Sequence, residues 1–140
     1  MALPEKRWVQ RLDNYSKVLR YLEDFVTIQE ERPLSVAEEF AIIKTFELAF
    51  ESGWKSMRDF LQSKGNIGID SPKDAIRQAF SKGIIENGQV WIDMIESRKE
   101  IPYCYDETRA VKVATAVSDS YANEFKKFLA TMKRYENEKE

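Results

Sequence analysis

Apolar side chains return every three or four residues along most of this 140-residue chain. Nowhere do they alternate with period two for long enough to make a strand. Trp8, Leu12, Tyr15, Leu19, Leu22 and Val26 form the first stripe. Such spacing lines one face of an α-helix, so it predicts helices that bury one side. A second stripe runs through Val36, Phe40, Ile43, Phe46, Phe50, Trp54, Met57 and Leu61. A third, late in the chain, holds Val111, Ala114, Val117, Tyr121, Phe125, Phe128 and Met132. Two shorter segments lie between them, one with Ile76, Ala79 and Phe80 facing inward, the other with Trp91, Met94 and Ile95.

The breaks are as legible as the stripes. Pro33 in "EERPLS" cannot continue a helical hydrogen-bond ladder and constrains Arg32 before it, so the first helix, from about Pro4 to Gln29, stops there. Ser35 followed by Glu38 is the signature of a capping box and starts the second helix. "SKGNIGIDSP" ends it with turn-forming residues. Ser71 then caps a third helix, Pro72 suits its first position, and Gly83 stops it. Pro102 stops a fourth helix of about Gly88 to Lys99, and Asp106 is placed to cap the fifth. Short connections between amphipathic helices predict an all-α fold: an antiparallel up-and-down helical bundle of four main helices plus a short one, forming one domain over residues 1–140.

The composition excludes several kinds of function. With a net charge of -2, the chain has no overall basic field to hold nucleic acid nonspecifically. It has no histidine, the usual general base near neutral pH and the commonest metal ligand. Ser-His or Cys-His nucleophile pairs and histidine-bearing zinc sites therefore cannot be built from it alone. Its single cysteine cannot form an internal disulfide. "MALPEKRWVQ" carries no apolar signal core, and no apolar run is long enough to span a bilayer. The expectation is a cytoplasmic protein with no membrane contact, no metal site and no cofactor of its own.

Chemistry concentrates in "SRKEIPYCYDE", residues 97–107. Continuing the spacing of Trp91, Met94 and Ile95 places Arg98 on the inward stripe, where a guanidinium needs a partner or a cleft. Tyr103, Tyr105 and Asp106 follow within one connection, so the four residues are candidates for a shared polar corner at one end of the bundle. Snorkelling of Arg98 or bonding to the last helix carbonyls is the plainer alternative. Glu47 and Glu51 lie four apart, with Lys44 and Lys55 one turn outside them, which reads as a solvated face or as a carboxylate pair reaching the corner. Cys104 lacks a histidine to activate it and reads as incidental. The glycine-containing loop before Ser71 matches no phosphate-binding fingerprint.

The blocks "FELAFESGWKSMRDFLQSKG" and "SPKDAIRQAFSKGIIENGQVWIDMIESRKEIPYCYDE" resemble the nucleotidyltransferase substrate-binding proteins, small helical bundles of the HEPN superfamily. The resemblance covers about Trp8 to Leu129. It implies a minimal nucleotidyltransferase as partner, with that partner supplying magnesium and nucleoside triphosphate chemistry. It also implies a homodimer within a hetero-oligomer and binding of a nucleotide or phosphate-bearing ligand. Related pairs act as toxin–antitoxin systems, in which the helical protein is a ribonuclease and the nucleotidyltransferase silences it by attaching AMP to a tyrosine. Against the ribonuclease motif, Arg98 matches the arginine, Lys99 the polar position, Tyr105 the modifiable tyrosine and Asp106 the acid that often follows. Tyr103 stands where the histidine belongs. A phenol with a pKa of about 10 is a poor proton exchanger at neutral pH. The resemblance therefore implies a non-catalytic binding subunit, with Arg98, Tyr103, Tyr105, Asp106 and Glu47 meeting ligand or partner and Tyr105 as AMP acceptor. A divergent ribonuclease toxin and an interaction module with a defunct site are the alternatives.

Overall fold

The computed structural model describes residues 4–138, and among them there is no strand. The helices are α1 (Pro4–Glu31), α2 (Val36–Ser63), α3 (Pro72–Ser81), α4 (Gly88–Glu100), α5 (Glu107–Ala116) and α6 (Ala122–Glu138). A π-helical turn, Val117–Tyr121, joins α5 to α6 without a break, so the two act as one rod. Ring contacts fix the directions. Trp8 near the start of α1 meets Phe60 near the end of α2 at 5.0 Å. Phe60 also meets Tyr135 at 4.9 Å, and Phe46 meets Tyr121 at 5.3 Å, so α2 and the last rod run parallel. Trp91 meets Phe128 at 5.6 Å while Ser97 bonds Tyr121, so α4 runs against α6. The result is the expected all-α up-and-down bundle of four rods with the short α3 beside it. No helix among the described residues is long and apolar enough to cross a membrane.

Local signals place the helix ends where the sequence puts them. Ser35 Oγ accepts from the Glu38 N–H at 3.1 Å, and Glu38 Oε1 accepts from the Ser35 N–H at 2.9 Å, completing the capping box. Arg32 adds a two-pronged bond to the same carboxylate, at 2.8 Å on each oxygen. The Arg32 bond first, and the Ser35 N–H second, hold the Glu38 carboxyl down to about 2. An unfolded glutamate titrates near 4.3. A lowered folded value means that the clip stabilises fully above about pH 4.3 and is lost as pH falls through about 2. Wild type should therefore melt above Glu38→Gln at neutral pH. That gap should close across this acid window, as thermal midpoints taken over a pH series will show.

The core differs from the sequence expectation at particular places. Val36 and Phe40 are 59% and 48% exposed, Phe80 is 55% and Val111 is 42%. Val36 and Phe40, at the start of α2, wall an open cleft against the start of α5, and burial sets in at Ile42 and Ile43. Phe80 packs against Gly88, where an added Cβ would sit 3.1 Å from its ring. Val26 and Ile95 are only partly buried. Conversely, Asp59 and Glu124 are buried charges with no apolar signal to announce them.

Gly53 shows how tightly the centre is packed. A Cβ there would lie 3.2 Å from Tyr15 Cε1 and 3.5 Å from Trp91 Cη2. The Tyr15 ring cannot easily yield, because its hydroxyl donates to the Phe125 carbonyl at 2.7 Å and its faces meet Phe125 and Phe128 edge-on. Alanine gains about 1 kcal/mol in helix propensity, against about 1–3 kcal/mol for overpacking. Gly53→Ala should lower the thermal midpoint, measured by circular dichroism; a raised midpoint would show that Tyr15 has room to move.

Candidate functional site

α4 ends in a 3-10 turn, Ile101–Tyr103, and the chain then re-enters helix at Glu107. This connection carries the residues that the sequence assigns to one polar corner, and the structure sets Arg98 apart from the other three. Arg98, on the last turn of α4, keeps 31% of its side chain exposed. Its guanidinium lies over the Phe50 ring, 5.3 Å from the centroid, and its Nη1 donates to Glu51 Oε2 at 3.2 Å. The apolar stem is thus covered while the charge is paired across to α2. Glu51 in turn holds Lys55 at 3.4 Å. The sequence offers Glu47 and Glu51 as a carboxylate pair that could reach the corner, with Glu47 the one that the family resemblance favours. The structure gives that place to Glu51, one turn further along α2, and pairs Glu47 with Lys44 at 2.9 Å.

The other three candidates stand apart from Arg98. Among the described residues, no hydrogen bond or ion pair joins Arg98 to Tyr103, Tyr105 or Asp106. Tyr103 is half exposed, and its ring is covered by the Arg109 guanidinium at 5.0 Å from the centroid. Arg109 also reaches Glu100 at 3.5 Å, which ties α5 back to α4. Asp106 caps α5, its Oδ1 accepting from the N–H groups of Thr108 at 2.9 Å and Arg109 at 3.4 Å. Tyr105 is 82% exposed. It borders a cleft of about 190 Å³ between the starts of α2 and α5, walled by Val36, Phe40, Cys104 and Ala110 and flanked by Glu39 and Glu107.

Titration follows from these surroundings. Burial pushes the Cys104 thiol up, and the Glu100 carboxylate adds to this more than Arg109 opposes it. A thiol so placed is a poor nucleophile, and its Sγ instead meets the Glu100 carbonyl at 3.4 Å. Burial likewise raises the Tyr121 phenol, opposed by its 2.7 Å bond with Ser97 and aided by Asp93. Sequence reasoning passed over the Ser97–Tyr121 pair and Arg109. Tyr121 reads as one more core ring on its stripe, and Arg109 as one more surface charge. No group of acidic, cysteine or histidine side chains among the described residues is arranged to hold a metal ion.

The structure is a helical bundle with an exposed tyrosine, Tyr105, at one end and, apart from it, an arginine, Arg98, paired to Glu51 across two helices. The chain belongs to the family described as nucleotidyltransferase substrate binding protein like, whose pattern matches residues 10–134. A Thermus thermophilus protein is similar in structure, with a TM-score of 0.74 and 26% identity over 83% of this chain and 96% of that one. A Haemophilus influenzae protein has a TM-score of 0.78 at 23% identity, covering 87% of this chain and 98% of its own. That structure is described as revealing the fold of a substrate-binding domain of a nucleotidyltransferase, and the likeness here is one of fold. No curated protein matches the chain in sequence.

Proposed function

We propose that this chain is the non-catalytic subunit of a two-component minimal nucleotidyltransferase, binding substrate or nucleotide for a partner that brings magnesium and a nucleoside triphosphate. Family membership across residues 10–134 carries the reading. The chain acts in the cytoplasm as a homodimer within a hetero-oligomer, and the pair belongs to the toxin–antitoxin class. Tyr105 is the acceptor of AMP. Its exposure supports this, because an acceptor must enter another protein's active site, and a phenol that is 82% exposed in the turn before α5 can do so without unfolding a helix. In the transfer, Tyr105 Oη forms a bond to the α-phosphorus of ATP, the bond to the β-phosphate oxygen breaks, and pyrophosphate leaves. The phenolic proton passes to a base of the partner. Arg98, apart from Tyr105 and with Nε and Nη2 uncommitted among the described residues, offers its charge to a phosphate-bearing ligand.

The test is native and intact mass spectrometry of the tagged chain recovered from its own host. A small nucleotidyltransferase should copurify, and the mass of adenylate should appear on the tagged chain. A bare homodimer with no added mass would overturn the reading in favour of an interaction module.

A further inference from the structure

At the other end of α2, Asp59 is buried, with 1% of its side chain exposed, and it is held by two arginines from different helices. Arg11 of α1 donates its Nε to Asp59 Oδ2. Arg58 donates its Nε to Asp59 Oδ1 at 3.1 Å. Both arginines thus use the nitrogen nearest the chain. Among the described residues, no hydrogen bond or ion pair engages a terminal nitrogen of either. Neither guanidinium is sealed off, since the side chains are 37% and 24% exposed.

Arg58 also covers the Trp54 ring, 5.2 Å from its centroid. The Trp54 indole N–H is buried without an acceptor among the described residues. The cluster therefore has donors in excess and one acceptor, Asp59, already in use. Two positive charges against one negative leave it net positive.

This arrangement suits an acceptor-only ligand. Guanidinium forks match oxyanions by paired N–H bonds, and a buried carboxylate that holds both Nε atoms removes much of the ordering cost of presenting two forks together. An ion pair serving only to join α1 to α2 needs one arginine. We infer that Arg11 and Arg58, fixed side by side on Asp59, form a binding site for a phosphate group. The site is separate from Tyr105: Arg58 lies about 33 Å along the helix from Val36, which walls the Tyr105 cleft, at 1.5 Å per residue. It does not depend on the function proposed for that end.

The isolated full-length chain should be titrated with inorganic phosphate and, separately, with AMP, following tryptophan fluorescence and the thermal midpoint. Both signals should saturate, and the midpoint should rise with ligand, as linkage requires. Arg58→Gln and Arg11→Gln should each raise Kd about tenfold or more, the loss of one fork contact. Arg58→Lys, which keeps the charge without the fork, should fall between, and Lys133→Gln should bind as wild type does. If a glutamine variant fails to fold, Arg58→Lys carries the comparison. Tighter binding of AMP than of phosphate assigns the group to a nucleotide; equal binding assigns it to free phosphate. Absence of saturation, or unchanged affinity in the arginine variants, overturns the site.

Discussion

Trp91→Ala should destabilise the protein by about 3 kcal/mol or more, the lower part of the range for removing a buried aromatic. Trp91 is wholly buried and meets rings from two other rods: Phe50 at 6.3 Å, Phe125 at 5.5 Å and Phe128 at 5.6 Å. Its edge faces Gly53, which has no side chain to fill the space left behind. Those walls belong to separate helices, each held by its own contacts, so the cavity cannot close by moving one residue. One effect runs the other way. The Trp91 N–H has no acceptor among the described residues, and deleting an unsatisfied buried donor returns about 1 kcal/mol or more. The cavity cost is larger, and it is a large share of the roughly 5–15 kcal/mol that holds a domain folded. Urea unfolding followed by circular dichroism measures the loss; a change below about 1 kcal/mol would mean that the bundle repacks freely. Arg98 rides on the same helix two turns later, so loosening Trp91 should also loosen the Arg98–Glu51 pair.

The same residues show why the fold was legible. Spacing of three and four fixes which side of a helix is inward, and Trp8, Leu12, Tyr15, Leu19 and Leu22 all lie where that rule puts them. Capping is equally local, so Ser35, Ser71 and Asp106 could be placed from a few neighbouring letters. Periodicity says nothing about how closely a neighbouring rod packs, and Val36, Phe40, Phe80 and Val111 fit the pattern yet remain exposed, Val36 and Phe40 at an open cleft and Phe80 against Gly88. The π-helical turn at Val117–Tyr121 was also invisible, since it keeps Val117 and Tyr121 four apart on the buried face.

Pairings between helices lie beyond what a local pattern can supply. The motif places Arg98, but a choice between Glu47 and Glu51 depends on the height at which α4 crosses α2. Asp59 was missed because its two arginines come from α1 and from its own neighbour, and neither position carries an apolar or turn signal. Tyr103 and Tyr105 show the reverse. Two residues apart in one connection, they face different surroundings: one ring lies under Arg109, and the other borders an apolar cleft.

That difference makes Tyr105→Phe the sharpest functional substitution. It should abolish AMP incorporation by the nucleotidyltransferase partner while leaving the fold and the partner's affinity intact. The substitution removes one oxygen and keeps the ring that borders Val36 and Phe40. Among the described residues, nothing hydrogen-bonds to the Tyr105 hydroxyl, so its loss strands no buried group and the cost in stability should fall within about 0.5 kcal/mol. Tyr103→Phe is the matched control. It too removes only a hydroxyl, and the ring that Arg109 covers remains. With purified partner, ATP and magnesium, intact mass should show adenylate on wild type and on Tyr103→Phe, and none on Tyr105→Phe. Equal labelling of all three would place the acceptor elsewhere. Labelling lost only in Tyr103→Phe would assign the reaction to the phenol beneath Arg109.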